Sequence, residues 1–152
     1  MNKKFELTTE TKVVFGITLH RIRALVAFGS VEAGELGGWI EKEENLSADG
    51  NAWVSGNAWV SGNARVSGNA RVYGAGAIFW VGGVGSRNGT TTFFACKDKK
   101  IRVVCGCFFG TLDEFSRAVS KTHGNSEYAK VYMLAIEMAK ARIDLSKVEI
   151  DE

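Results

Sequence analysis

The sequence predicts a mainly β protein with C-terminal helices, in which a short left-handed parallel β-helix is flanked by an N-terminal β segment and a C-terminal α+β unit. One observation is the stretch "GNAWVSGNAWVSGNARVSGNARVYG", a six-residue phrase repeated four times over residues 50–74. Another is the pair of helical patterns over 111–124 and 126–143, which follow a β-rich run. We therefore expect two domains, 1–80 and 81–152.

The spacing inside the repeat determines which side chains point inward. Ala52 and Val54 are two residues apart and share one side of a strand, so Trp53 points the other way. The Ser-Gly-Asn that follows has the chemistry of a corner. Three corners close a triangle, so about 18 residues make one coil, and Trp53 should stack against Arg71. The inward positions are Ala52, Val54, Ala58, Val60, Ala64, Val66, Ala70 and Val72.

The array should run from residue 46 to 79, with Gly76 and Ile78 as its last small and aliphatic positions. Before it, residues 4–25 predict two or three short strands with a turn at Thr8–Thr11. The glycine-rich stretch 28–40 predicts irregular turns that lead into the repeat and extend it.

After the repeat, "TTTFFAC" and "IRVVCGC" predict a hairpin around "KDKK", a register that places Thr92 opposite Cys105. Thr111 and Glu114 predict a capping box that starts the first helix, and Gly124 ends it. The second helix, over 126–143, carries apolar residues on more than one face, which indicates packing on two sides or a subunit interface. The remaining tail is expected to fray.

Composition excludes several classes of function. The formal net charge is +2 over 152 residues, which does not favour binding to duplex nucleic acid. The N-terminus has no apolar run typical of a signal peptide, and no stretch is long enough for a membrane span. Three cysteines, with two in "CGC", suit a reducing compartment. We expect a cytoplasmic protein without a membrane partner.

Five motifs flank the repeat. In chain order they are "FELT", "RIRAL", "AGELGGWIEKEENLS", "GSRNGTTTF" and "VVCGCFFGTLDEF". In this arrangement the chain resembles a group of small phage and prophage proteins with a hexapeptide array of varying length. The resemblance covers nearly the whole chain. It implies a phage origin and a site of action in the host cell cytoplasm.

Two kinds of reaction chemistry are disfavoured. Hexapeptide helices resemble acyltransferases that use a histidine as general base, but His20 and His123 both lie outside the repeat. The predicted register separates Cys96 from Cys105 by about 13 Å along the ladder, too far to share a zinc ion. We therefore predict no metal and no cofactor. Whether Cys105, Cys107 and His123 have a chemical role stays open.

The stretch "GSRNGTTTF" is the best candidate for a binding site. Its glycines allow a ligand to approach the backbone, its hydroxyls can hydrogen-bond, and Arg87 offers a planar fork for phosphate or carboxylate. The alternative is a glycine-rich turn followed by an ordinary β-branched strand. No Walker-type lysine follows, so hydrolysis is not indicated. The predicted ligand-binding residues are Ser86, Arg87, Asn88, Thr90, Thr91 and Thr92.

Outward aromatic and basic residues predict an oligomer, either a trimer or a dimer. The predicted interface residues are Trp53, Trp59, Arg65, Arg71 and Tyr132. The alternative is that these side chains only cover their own coil. The function that fits best is a non-enzymatic accessory protein that sequesters a host factor, in its sharpest form an anionic, nucleotide-like signalling molecule of antiviral defence. A structural or assembly scaffold is the alternative, and a hexapeptide-type acyltransferase is third.

Overall fold

The computed structural model describes residues 2–85, 89–106 and 108–148. Within them the protein is mainly β, with two helices in its C-terminal part. The strands are β1 Phe5–Val14, β2 Ile17–Ala24, β3 Leu36–Ile40, β4 Trp53–Val54, β5 Trp59–Val60, β6 Arg71–Val72, β7 Ile78–Val84, β8 Gly89–Ala95, β9 Ile101–Cys105 and β10 Phe108–Thr111. The helices are α1 Leu112–His123 and α2 Glu127–Arg142.

The N-terminal segment is one long hairpin of β1 and β2. Its turn lies at Phe15 and Gly16, whose φ angles of 50° and 80° suit a two-residue hairpin loop. The predicted turn at Thr8–Thr11 is wrong, because this stretch is a bulge inside the pair. The Thr8 hydroxyl donates to the Arg21 carbonyl at 2.8 Å, so a side chain helps to hold the strands together where the ladder is interrupted.

The repeat forms short parallel strand pairs. Trp53 lies opposite Arg71 and Val54 opposite Val72, which confirms the predicted separation of 18 residues. The Trp53 N–H donates to the Ala70 carbonyl at 3.1 Å. The predicted inward set is also confirmed, because every member is fully buried. These residues, each at 0% exposure, are Ala52, Val54, Ala58, Val60, Ala64, Val66, Ala70 and Val72.

The bounds of this region agree only in part with those predicted. Its start agrees with the predicted extension through 28–40, but this stretch contains a regular strand instead of only irregular turns, because β3 pairs in parallel with β5, with Ile40 opposite Val60. A further parallel bridge joins Leu46 to Val66. The region ends earlier than predicted, because Gly76 lies in a 3-10 turn and Ile78 starts β7 in an antiparallel sheet. We call residues 36–72 the parallel-strand segment.

The second sheet has the order β10-β9-β8-β7, and every neighbouring pair in it is antiparallel. Strand β7 crosses the predicted domain boundary at residue 80. The predicted register of the β8–β9 hairpin is wrong by one residue, since Thr91, not Thr92, lies opposite Cys105. The reason is the loop: Cys96 N–H donates to the Lys100 carbonyl at 3.0 Å, and Lys99 adopts a φ of 60°.

Both helices begin and end close to where the sequence predicts. Glu114 N–H donates to the Thr111 hydroxyl at 3.3 Å, and Thr111 N–H donates to the Glu114 carboxylate at 2.9 Å, which confirms the capping box. Gly124, with a φ of 56°, ends α1. The predicted fraying of the tail is wrong as far as residue 148, because Asp144 N–H donates to the Gly76 carbonyl and Val148 is buried. The rest of the tail lies outside the described residues.

The second sheet lies between the parallel-strand segment and the helices. On one face, Trp80 meets Trp59 edge-on at 5.9 Å between ring centroids. On the other face, Phe93 meets Phe115 of α1 at 6.2 Å. At the end of the sheet near Gly85 and Gly106, residues from the parallel-strand segment, the sheet and the helices come together.

Candidate ligand-binding cleft

A cleft of about 790 Å³ lies at this end of the second sheet. Its walls come from the parallel-strand segment, from the sheet and from the helix pair, and we call them the coil wall, the sheet wall and the helix wall. The coil wall includes Lys42, Glu44, Asn45, Asn63 and Arg65. The sheet wall includes Val84, Thr90, Thr92, Val104, Cys105 and Phe108. The helix wall includes Phe115, Val119, Thr122, His123 and Tyr132.

Asn45 organises the coil wall. It is fully buried, and its amide nitrogen donates to the carbonyls of Gly62 at 3.1 Å and Ala64 at 2.9 Å. Its amide oxygen accepts from the Lys42 N–H at 2.9 Å. One side chain therefore connects the 42–45 turn to the 62–64 turn, and this places Lys42 at the edge of the cleft.

Two cationic side chains stand on this wall. The Lys42 ammonium donates to the Asn63 amide oxygen at 3.3 Å, and Arg65 is exposed. The Arg65 backbone N–H donates to the Thr92 hydroxyl at 3.0 Å, which attaches the coil wall to the sheet wall. Because this bond uses the backbone of Arg65, it leaves the guanidinium available to a bound anion. Glu44, also exposed, adds one negative charge to the same wall.

The threonines of β8 are divided between the two faces of the sheet, because successive side chains of a strand alternate. Thr90 is half-buried and Thr92 is buried, and both line the cleft from the sheet wall. Thr91 lies on the other face with Cys105, is fully buried, and donates its hydroxyl to Cys105 Sγ at 3.3 Å. The prediction that all three line one pocket is therefore wrong for Thr91. Ser86, Arg87 and Asn88 lie outside the described residues.

Tyr132 is the centre of the helix wall. Its ring stacks on His123 at 5.7 Å and meets Phe115 edge-on at 5.4 Å between centroids. Its hydroxyl lies 3.8 Å from Cys105 Sγ. Burial, and then the contact with Cys105, raises the pKa of Tyr132 to about 12, so the phenol is neutral at physiological pH. A Cβ on Gly85 would overlap the Tyr132 hydroxyl, so glycine is required there.

This arrangement is suited to holding a small molecule with an anionic end and a flat apolar part. A cleft of about 790 Å³ is within the range that ligand sites occupy. Lys42 and Arg65 provide positive charge on the coil wall, and the half-buried Phe108, backed by the buried Phe115 and Tyr132, provides aromatic surface. Guanidinium groups bind phosphate or carboxylate, and aromatic rings stack on flat heterocycles.

Sequence reasoning missed most of the coil wall. Lys42 and Asn45 stand in "EKEEN", where no periodic pattern distinguishes them from a solvated charged turn. Arg65 was predicted as an interface residue because its position in the repeat points outward. The one usable signal for the coil wall in the sequence was the outward position of Arg65 in the repeat.

The two described cysteines, Cys96 and Cys105, lie at opposite ends of the β8–β9 pair. Cys96 is buried beside the β8–β9 loop, at the far end of β8 from Thr91 and Cys105, and burial raises the pKa of its thiol to about 11. Cys107 lies outside the described residues. Among the residues that the structure describes, no three His, Cys, Asp or Glu side chains are grouped to hold a metal ion.

The predicted interface residues occupy different environments. Trp53 is only 3% exposed, because Phe28 meets its ring edge-on at 5.3 Å, and Tyr132 is 8% exposed inside the helix wall. Neither is accessible to a partner chain, so the expectation of exposure is wrong for both. Trp59 is half-buried against Trp80, and Arg71, also half-buried, donates to the Asn51 carbonyl at 2.9 Å.

Comparison of the sequence with models of known protein families and with curated proteins finds no match. Within the described ranges, neither helix has the length and apolar character needed to cross a membrane.

Proposed function

We propose that the protein binds and sequesters an anionic, nucleotide-like small molecule in the cleft and releases it chemically unchanged. The observation that carries this proposal is that two cations, Lys42 and Arg65, and a cluster of aromatic side chains line one cleft of about 790 Å³. Phosphate would bind the cations, with the guanidinium able to make two parallel hydrogen bonds. A base would lie against Phe108, the half-buried ring of this cluster, which Phe115 supports at 5.3 Å between centroids.

The polar groups between these two regions suit the sugar or the edge of a base. Asn63 offers an amide, and Thr90 and Thr122 offer hydroxyls that both donate and accept. The Thr92 hydroxyl already accepts from Arg65 N–H, so it serves to position the wall. The sequence-based prediction for Ser86, Arg87 and Asn88 stays part of this proposal, because Val84 at the end of β7 and Gly89 at the start of β8 both line the cleft.

We also propose that the parallel-strand segment is a short left-handed β-helix. Three parallel contacts support it: β3 with β5, Leu46 with Val66, and β4 with β6. Each joins residues about one coil apart, and the side chains between the coils are fully buried. In this proposal the β-helix is the scaffold that carries Lys42 and Arg65 to the cleft.

The resemblance to phage and prophage proteins supports a host molecule as the ligand, with a signalling nucleotide of antiviral defence as the specific candidate. Mass spectrometry of small molecules that remain bound to the purified protein separates the alternatives. A retained nucleotide-like anion supports sequestration. An assembly scaffold retains nothing, and an acyltransferase retains acyl-CoA.

Calorimetry against a panel of cyclic and linear nucleotides tests the site itself. We expect Lys42→Ala and Arg65→Ala to weaken binding by about 10-fold to 100-fold each, the range for a charge-assisted contact. Lys100→Ala, an exposed lysine in the β8–β9 loop, is the matched control and should bind like wild type. Arg87→Lys should weaken binding nearly as much as Arg87→Ala. Full affinity in both coil-wall variants contradicts the site, and a chemically altered ligand contradicts sequestration without turnover.

A further inference from the structure

The outward face of α2 carries an apolar stripe that no part of the described chain covers. Leu134 is 66% exposed and Met138 is 56% exposed, and Val131 lies beside them at 37%. Their spacing of three and four residues places them on one side of the helix. The opposite side of α2 is buried by the sheet and α1 through Ala135, Ile136 and Ala139. The stripe therefore takes no part in the packing of the described monomer.

Two opposite charges border this stripe. Lys130 and Glu137 are both exposed and lie seven residues apart, which places them on the same flank of the stripe two turns from one another. Within the chain, the Glu137 carboxylate lies 3.5 Å from the Lys140 ammonium in an exposed pair. One flank of the stripe therefore carries a positive charge at Lys130 and, two turns further along the helix, a negative charge at Glu137.

We propose that two copies of the chain associate through this face, with their α2 helices antiparallel. A two-fold axis that passes between the two α2 helices, at the level between Met133 and Leu134, places Lys130 of each copy opposite Glu137 of the other. The same axis brings Leu134 to the centre of the contact and Val131 near Met138 of the second copy. Apolar area and charge are thus both complementary in one symmetric arrangement.

Charge selects this orientation over the parallel one. In a parallel, in-register pair, identical residues stand at the same level, so neither Lys130 nor Glu137 gains a partner of opposite charge there. In the antiparallel pair Lys130 and Glu137 each gain a partner of opposite charge, so the dimer contains two such ion pairs. An isologous contact of this kind closes at two subunits, so the proposal requires a dimer and excludes a trimer built on this face. It is independent of the ligand proposed for the cleft.

Sedimentation of the full chain across a micromolar concentration range tests the proposal by charge exchange. We expect wild type to dimerise, and Lys130→Glu or Glu137→Lys to raise the dimer Kd by about 10-fold to 100-fold, because each turns two attractive pairs into repulsive ones. The double variant with both changes should recover the wild-type Kd to within about 3-fold. Lys121→Glu, an exposed charge reversal on α1, is the control and should leave the Kd unchanged.

Leu134→Asp provides a second test at the centre of the contact. The side chain is mostly exposed in the monomer, so circular dichroism should show an unchanged fold while the dimer dissociates. A wild-type monomer, a wild-type trimer, or a double variant as weak as the single variants would overturn the proposal. Calorimetry of the same variants with a cleft ligand keeps the two proposals separate, since these residues lie outside the cleft.

Discussion

Gly38 of β3 is the position where the smallest change should have a large effect on stability. A Cβ added there would lie 2.6 Å from the Ala58 carbonyl oxygen and 2.8 Å from Val54 Cγ1, well inside ordinary contact. Both neighbours belong to the buried interior of the parallel-strand segment, which cannot yield as a flexible side chain would. We therefore expect Gly38→Ala to push β3 away from the neighbouring segment that contains Val54 and Ala58.

The size of the effect follows from three contributions. Overpacking of a dense interior costs about 1–3 kcal/mol. The Ala58 carbonyl also accepts the Trp39 N–H at 3.0 Å, so displacing it weakens a hydrogen bond whose net contribution is about 1 kcal/mol. Alanine restricts the unfolded chain and returns about 0.4–1 kcal/mol. The net loss in the free energy of unfolding should be about 2–3 kcal/mol, or about 5–10 °C in Tm for a chain of this size.

Urea and thermal unfolding followed by circular dichroism, at one fixed protein concentration, measure this loss. Gly74→Ala is the matched control, because its φ of 178° is open to any residue and a Cβ there has no atom within 4 Å. It should unfold like wild type. If Gly38→Ala unfolds within about 1 °C of that control, the close approach of β3 to its neighbours is not what requires glycine.

Two further changes test buried polar contacts. Asn45→Ala leaves two carbonyls and one N–H without their side-chain partner, so the free energy of unfolding should fall by about 3 kcal/mol, at roughly 1 kcal/mol per lost bond; an Asn45→Ala protein as stable as wild type in urea would show these bonds to be dispensable. Burial lowers the pKa of Lys4 from 10.5 to about 8, while its ammonium donates to the Ser47 and Ala52 carbonyls. Between these pH values the unfolded chain holds a proton that the folded chain has lost, so stability should rise with pH relative to Lys4→Met. Urea midpoints at pH 7.5 and 10 measure this, and a stability difference independent of pH contradicts it.

The sequence by itself determined the features that depend on near neighbours. The six-residue period decides which side of a short strand each residue occupies, so the burial of Val54, Val60 and their counterparts followed from spacing alone. The start and end of α1 followed in the same way from Thr111 and Gly124, whose effects act within one helical turn.

Only the tertiary structure decided what covers each outward side chain and which segments meet. Trp53 points away from its strand as the spacing requires, yet Phe28 buries it, and no local pattern records that contact. The hairpin register depended on the loop at Lys99, and a shift of one residue placed Cys105 on the face of Thr91 instead of the face of Thr92. The cleft itself joins Lys42 to Tyr132 across most of the chain. Such long-range contacts arise from the packing of whole layers, whereas periodicity describes only the strand or helix in which a residue lies.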